Sequence, residues 1–387
     1  MNRRLYNLHL LTSVLRTAGD AIESVALPWS LLKGTGSLLS IGGYALFTHL
    51  PWVVLPPLLG RTLDRTGKKV RLAFLALLLQ AFLAVAIVPL SSNVWAFYLI
   101  VSGISALDIL HRYYGFSLIA TMTFEESELQ RLNATLATVG NMVSLVAFPV
   151  AGVLAYRFGV KAMLLDALLL LIGAVTLLPY LGLEFTPERE GEIKAARKPP
   201  ALSREFVLGV LASVLLFNFA LGSFRIFLFA GLRELVKAEV LYGVLQSLQT
   251  AGGLFGLGLM VYLAHRQNIG VTRPLIAGML LQSLALLLVG FPLAPTLVSA
   301  VLIVGFGGQL LNVSFDSLMQ KVIPLESLGT ARGIFDALAT LVIPLSQLAL
   351  AWAVEKSGEI PVLTIAASFL AVAASLLLSG LLRDTKA

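Results

Sequence analysis

The sequence predicts an all-α integral membrane protein with twelve transmembrane helices in two pseudo-symmetric six-helix bundles. Composition is the first reason. Of 387 residues, 58% are hydrophobic and only 13% are charged, with a mean hydropathy of +0.89, whereas a soluble domain keeps about 25% charged residues to face water. The second reason is recurrence: apolar stretches of the roughly 20 residues that a helix needs to cross a bilayer follow one another along the chain. The third is the placement of Lys and Arg in short gaps between those stretches.

With glycine, proline and charge clusters as punctuation, helices are expected at 6–32, 38–59, 70–90, 94–120, 132–156, 160–182, 205–230, 239–263, 271–290, 294–319, 332–354 and 360–382. The first follows Met-Asn-Arg-Arg, is far longer than a signal h-region and lacks a small-residue cleavage site, so it reads as a membrane helix that is retained. The first, fourth and seventh carry charged residues within their apolar length. The longest gap, Glu184 to Arg204, is charged and holds a Pro-Pro pair, which suits a solvated linker. The expected organisation is therefore an N-terminal half at 1–183, a cytoplasmic linker at 184–204 and a C-terminal half at 205–387. Gly-Phe-Ser-Leu at 115–118 and Phe-Asp-Ser-Leu at 315–318 form an internal echo that fits a repeat.

Charge placement sets orientation. Nineteen Lys/Arg fall on the N-terminal side of the membrane, six on the other and three inside helices, which accounts for all 28. By the positive-inside rule both termini face the cytoplasm, in the plasma (inner) membrane. The formal net charge of +7 thus belongs to membrane loops and not to a nucleic-acid surface. There is no cysteine, and His9, His49, His111 and His265 are scattered, so no metal or other cofactor is expected. No Ser/His/Asp signature or phosphate-binding loop is present, and an enzyme is not expected.

The gap after the second helix reads Gly60-Arg-Thr-Leu-Asp64-Arg65-Thr-Gly67-Lys68-Lys69. Glycines permit a tight turn there, and the basic residues suit an anionic cytoplasmic leaflet. This run resembles the signature G-x-L-x-D-R-x-G-R-K of the major facilitator superfamily, with Lys68 in place of the usual Arg. The resemblance implies the major facilitator fold, a gating role for Gly60, Asp64, Arg65, Gly67 and Lys68, and transport by alternating access. Further runs are similar to drug and siderophore exporters related to macrolide efflux pumps: Gly19-Asp20 through Ala26-Leu27-Pro28-Trp29 with Thr35-Gly36-Ser37, Leu132-Asn133-Ala134 leading to Pro149 and Gly152, and Gln320 through Pro324 with Gly329 to Gly333. In helix 4, Ser102 precedes Gly103 where that family often has Arg, so the resemblance implies export without itself specifying the coupling.

An ionisable side chain at the bilayer centre costs about 2.5–3.5 kcal/mol on insertion scales and needs a partner, a cavity or a neutral form. Helix 1 carries Arg16, Asp20 and Glu23 at i, i+4 and i+7, on one face; helix 4 carries Asp108, His111 and Arg112 within one turn. In the family these two helices line the central cavity, and depth makes Asp20 with Arg112, or Asp108 with Arg16, reasonable pairs. Three carboxylates against two arginines leave one acid to carry a proton, with Glu23 or Asp20 favoured. Asp20, Glu23, Asp108 and His111 are thus the expected proton-coupling set, against the alternative of fixed ion pairs that hold helix 1 to helix 4. Arg16, Arg112, Arg225, Gln246, Gln249, Gln309 and Asn312 are the expected substrate contacts. Asp166 and Asp336, in first helical turns, read as structural.

The expected function is proton-coupled export of amphipathic or lipophilic small molecules by a monomer. The expected partners are the substrate, protons and membrane lipids, and not nucleic acid. Lipid or lysolipid transport, uncoupled movement of a small metabolite, and a non-transporting sensor of the same fold are the alternatives.

Overall fold

A computed structural model describes residues 3–65, 67–122, 126–182, 204–265, 270–291, 293–322 and 325–384. Every regular element among them is helical: α1 (Arg3–Thr35), α2 (Leu38–Arg65), α3 (Lys69–Leu90), α4 (Val94–Met122), α5 (Glu126–Phe158), α6 (Met163–Leu177), α7 (Arg204–Gly222), α8 (Phe224–Leu232), α9 (Ala238–His265), α10 (Thr272–Val289), α11 (Ala294–Val322), α12 (Leu325–Ser357) and α13 (Ile360–Asp384). The expected linker at 184–204 lies outside the described residues except for Arg204. So do the side chains of Asp64, Arg65 and Asp336, and the surroundings of Gly60. Gly67 and Lys68 form the bend between α2 and α3.

Ten stretches are long and apolar enough to cross a membrane; one of them, 131–180, contains both α5 and α6. α1 falls outside that set because Arg16, Asp20 and Glu23 interrupt its apolar run. With α1 included the count is consistent with twelve crossings.

The seventh crossing is not the single helix expected at 205–230. It breaks at Ser223 into α7 and α8, and the hydrogen bonds show why. The Ser223 amide turns to the carbonyl of Ala220, at 3.3 Å, which releases the Phe219 carbonyl that it would otherwise meet. The Ser346 hydroxyl of α12 donates to that released carbonyl. A neighbouring side chain therefore takes up the polar group that the break exposes, and in lipid that condition must be met. The adjacent Gly222 permits the contact: a Cβ there would lie 3.0 Å from the Ile343 carbonyl.

α5 shows the same remedy at a proline. Pro149 has no N–H to give the carbonyl four residues back, at Leu145. The Ser247 hydroxyl of α9 donates to that carbonyl at 2.7 Å.

The two sequence halves repeat one packing scheme. α3 packs on α4 and α6, and α1 on α5 and α6; correspondingly, α10 packs on α11 and α13, and α7 on α12 and α13. One polar contact is repeated with it. Gln80 of α3 donates through Nε2 to the Ile104 carbonyl of α4 at 3.2 Å, and Gln282 of α10 donates to the Val304 carbonyl of α11 at 3.3 Å. Both glutamines are buried.

Two compact units emerge, one of 1–36, 47–191 and 237–247, the other of 37–46, 192–236 and 248–387. The first unit thus includes the opening turns of α9, where a Cβ on Gly152 of α5 would lie 2.7 Å from the Glu239 carbonyl. Buried Glu239 pairs there with Lys33, and Trp29 meets Tyr242 edge-on at 6.0 Å. The second includes the opening turns of α2, where Ser37 and the Leu39 amide both donate to Glu355 of α12, at 2.7 and 3.1 Å.

Candidate functional site

The charged residues of α1 and α4 meet inside the first unit. Helical spacing puts Arg16, Asp20 and Glu23 on one face of α1, and α4 presents Asp108 opposite. Arg16, whose side chain is 12% exposed, donates through Nη2 to Asp108 Oδ1 and lies 3.6 Å from Asp20 Oδ1. Gln80 of α3 donates to the same Asp108 oxygen. One carboxylate therefore receives a guanidinium and a carboxamide, while the repeat glutamine, Gln282, serves its own half with no acid at its side.

Arg112 is not in that network. Its guanidinium sits 4.8 Å from the centre of the Trp52 ring, in cation–π geometry. Among the described residues no ion pair joins Arg112 to Asp20, because Asp20 uses Arg16 one turn earlier on its own helix. His111 is buried on α4 at 5% exposure, and buried His9 of α1 lies against Gly115 of α4.

Sequence reasoning gave one carboxylate of this region only a structural role. Asp166 of α6 is 3% exposed and packs against Gly19 of α1. A Cβ at position 19 would collide with its Oδ1, so glycine is what lets the α6 carboxylate reach the α1 backbone beside Asp20. The Thr12 and Thr176 hydroxyls, 2.8 Å apart, tie the same two helices. An aspartate in a first turn reads as a partner of the helix dipole. The available signal was Gly19 itself, a residue without a side chain on the charged helix.

Four carboxylates (Asp20, Glu23, Asp108 and Asp166) thus share this region with Arg16. Among the described residues no ion pair reaches Glu23 or Asp166. Glu23 is half-buried, and the Asp20 side chain is 51% exposed.

The other expected contacts are dispersed. Arg225 lies half-buried in α8. Gln309 of α11 packs its aliphatic stem under Gly253 and Gly256 of α9, a helix-joining position. Gln246 and Gln249 are half-buried on α9, and the Gln249 backbone carbonyl lies against Gly305. Asn312 is exposed to a separate cavity of the second unit. Among the described residues no group of acids and histidines could hold a metal ion.

Membrane-crossing helices in repeated halves are the architecture of a membrane transporter. The chain belongs to the Major Facilitator Superfamily, whose family model matches residues 10–346.

Solved structures share the fold at low identity. A nucleoside transporter, NupG, aligns with a TM-score of 0.76 at 14% identity, covering 99% of this chain and 100% of its own. A bacterial homologue of the iron transporter ferroportin, in an inward-facing state, aligns at 0.72 and 19%, covering 98% and 99%. The POT family transporter PepTSo aligns at 0.77 and 12%, covering 100% and 99%. No curated protein sequence matches the chain.

Proposed function

We propose that this transporter exports amphipathic or lipophilic small molecules by proton antiport, with the α1, α4 and α6 carboxylates carrying the proton. The observation that carries the reading is the charge imbalance: the carboxylates of Asp20, Glu23, Asp108 and Asp166 share one region with two arginines, of which Arg16 is already engaged by Asp108 and Asp20 and Arg112 lies over Trp52. Excess negative charge inside a membrane protein calls for a counter-ion. A proton is the smallest, and its binding alters the pairing that holds α1 to α4.

Alternating access then follows from exchange. Protonated, the cluster needs fewer partners and α1 is freer to move on α4; deprotonated, Asp20 and Asp108 compete for Arg16. Binding of substrate and proton in turn drives one half against the other. The Gly60 to Lys68 run is assigned the gate. The chain would sit as a monomer in the plasma (inner) membrane, with both termini in the cytoplasm as the Lys/Arg distribution favours. Its resemblance to the macrolide and siderophore exporters supports export over uptake. The fold neighbours described as nucleoside, iron and POT family transporters share only architecture at these identities.

The test is proton release from the purified, detergent-solubilised protein when tetraphenylphosphonium or neutral macrolides are added. Wild type is compared with Asp20→Asn, Glu23→Gln and Asp166→Asn. Release that disappears in one variant identifies the carrier. Saturable binding with no proton released by wild type overturns antiport.

A further inference from the structure

The first unit carries a groove of about 540 Å³ between α5 and α6. Its walls are a stripe of α5 from Val139 to Leu154, with Leu165 and Leu169 of α6, and its floor is Ala18 and Ile22 of α1. Among the described residues the lining holds no polar or aromatic side chain. Val146 and Val150 on the α5 wall are 68% and 52% exposed. Both belong to the 131–180 stretch that is apolar enough to cross a membrane, so the medium over them is hydrocarbon. At 1.5 Å per residue the α5 stripe is about 22 Å long, enough to span half of a roughly 30 Å hydrocarbon core.

One end of the groove is basic. Arg157 follows Val146, Val150 and Leu154 at i+11, i+7 and i+3, which keeps it on the same face of α5. Lys161 stands four residues before Leu165, in the short 3-10 helix Gly159–Ala162 between α5 and α6. Both side chains are exposed, and among the described residues no ion pair includes either. The acids of the neighbouring helices face elsewhere: Asp166 packs on Gly19, and Glu239 pairs with Lys33. We infer that the groove is a binding site for an anionic phospholipid, which lays one acyl chain between α5 and α6 and sets its phosphate on Arg157 and Lys161. Arginine and lysine at the end of an aliphatic trough match both parts of such a molecule, its charged phosphate and its chain. A zwitterionic headgroup brings a cation of its own against the same two side chains. The chain of the lipid rests on the turn of α1 that holds Gly19 and Asp20, so occupancy of the groove bears on the packing of α1 against α6. The site is independent of the antiport reading and stands or falls without it.

Photolabelling tests it. Full-length protein is placed in phosphatidylcholine nanodiscs that contain a small fraction of phosphatidylglycerol with a diazirine in one acyl chain. In parallel discs the diazirine is carried by phosphatidylcholine at the same fraction, and crosslinked peptides are mapped by mass. Labelling of α13, where Phe369 and Leu376 are exposed, reports bulk lipid and serves as the reference for folding. Relative to α13, wild type should be labelled at 139–154 and 165–169 about tenfold more by the phosphatidylglycerol probe than by the phosphatidylcholine probe. Arg157→Gln combined with Lys161→Gln should bring the two probes level. Val150→Trp, which fills the groove from an exposed position, should remove most of the phosphatidylglycerol labelling with both cations in place. Equal labelling of wild type by the two probes, or a preference that survives either the double change or Val150→Trp, overturns the inference.

Discussion

Replacing Arg16 with methionine removes the guanidinium on which Asp108 and Asp20 both depend, yet keeps an unbranched apolar stem in its place. Arg16 and Asp108 are 12% and 22% exposed at the side chain, so little of the loss is screened by solvent. Breaking a buried ion pair from one side costs about 3–5 kcal/mol, because the other charge stays behind. Gln80 still donates to Asp108, which places Arg16→Met at the lower end, about 3 kcal/mol. Asp108→Asn is milder: the amide oxygen still accepts from Arg16 and Gln80, and a charge-assisted bond becomes a neutral one, at about 1–2 kcal/mol. With both changes no carboxylate is stranded at position 108, so the double variant should be about 2 kcal/mol more stable than the sum of the singles predicts. The assay is reversible unfolding in mixed micelles followed by tryptophan fluorescence. Additivity within about 0.5 kcal/mol would refute the reading that Arg16 and Asp108 act as one unit.

Three further outcomes follow from contacts outside that pair. Ser247→Ala strands the Leu145 carbonyl and should cost about 1–3 kcal/mol; adding Pro149→Ala, which restores the missing N–H, should make the serine dispensable in the same unfolding assay. Gly19→Ala drives a methyl into Asp166 and should lower stability by about 1–3 kcal/mol, and Asp166→Ala on top should recover most of it, read as a melting midpoint. Gln80→Leu should destabilise more than Gln282→Leu, since only Gln80 also serves an acid; equal midpoints for the two would show that the Asp108 contact contributes nothing.

Much of the architecture was legible because a bilayer imposes a length. The expected stretches fall on the observed helices, some of which run longer, as 332–354 becomes α12 from Leu325 to Ser357, and some shorter, as 160–182 becomes α6 from Met163 to Leu177. What sequence could not place is rotation about the helix axis. A helix apolar on every side carries no stripe to mark its inner face, so nothing distinguished Arg112, which stacks on Trp52, from Arg16, which enters the network. Charges on α1 were visible as a spacing, whereas the aim of Asp166 at Gly19 is a property of two helices together. The break at Ser223 was hidden likewise, since the hydroxyl that stabilises it comes from Ser346, more than a hundred residues away. Pro149 was visible in the sequence, but not the Ser247 hydroxyl that takes up the Leu145 carbonyl it leaves open.

The pairing across α1 and α4 also bears on how the chain enters the membrane. α1 brings three ionisable groups into the bilayer within two turns, at about 2.5–3.5 kcal/mol each, while each Leu, Ile, Val or Phe returns about 0.3–0.6 kcal/mol. Its partner Asp108 lies 92 residues downstream, which at roughly 5–20 residues per second takes about 5–20 s to synthesise. For that interval α1 is a segment whose charges exceed what its own apolar surface can hold in lipid. Its residence in the bilayer is therefore a property of the assembled half, acquired when α4 docks, and a nascent chain stopped before α4 should leave α1 open to aqueous labelling reagents.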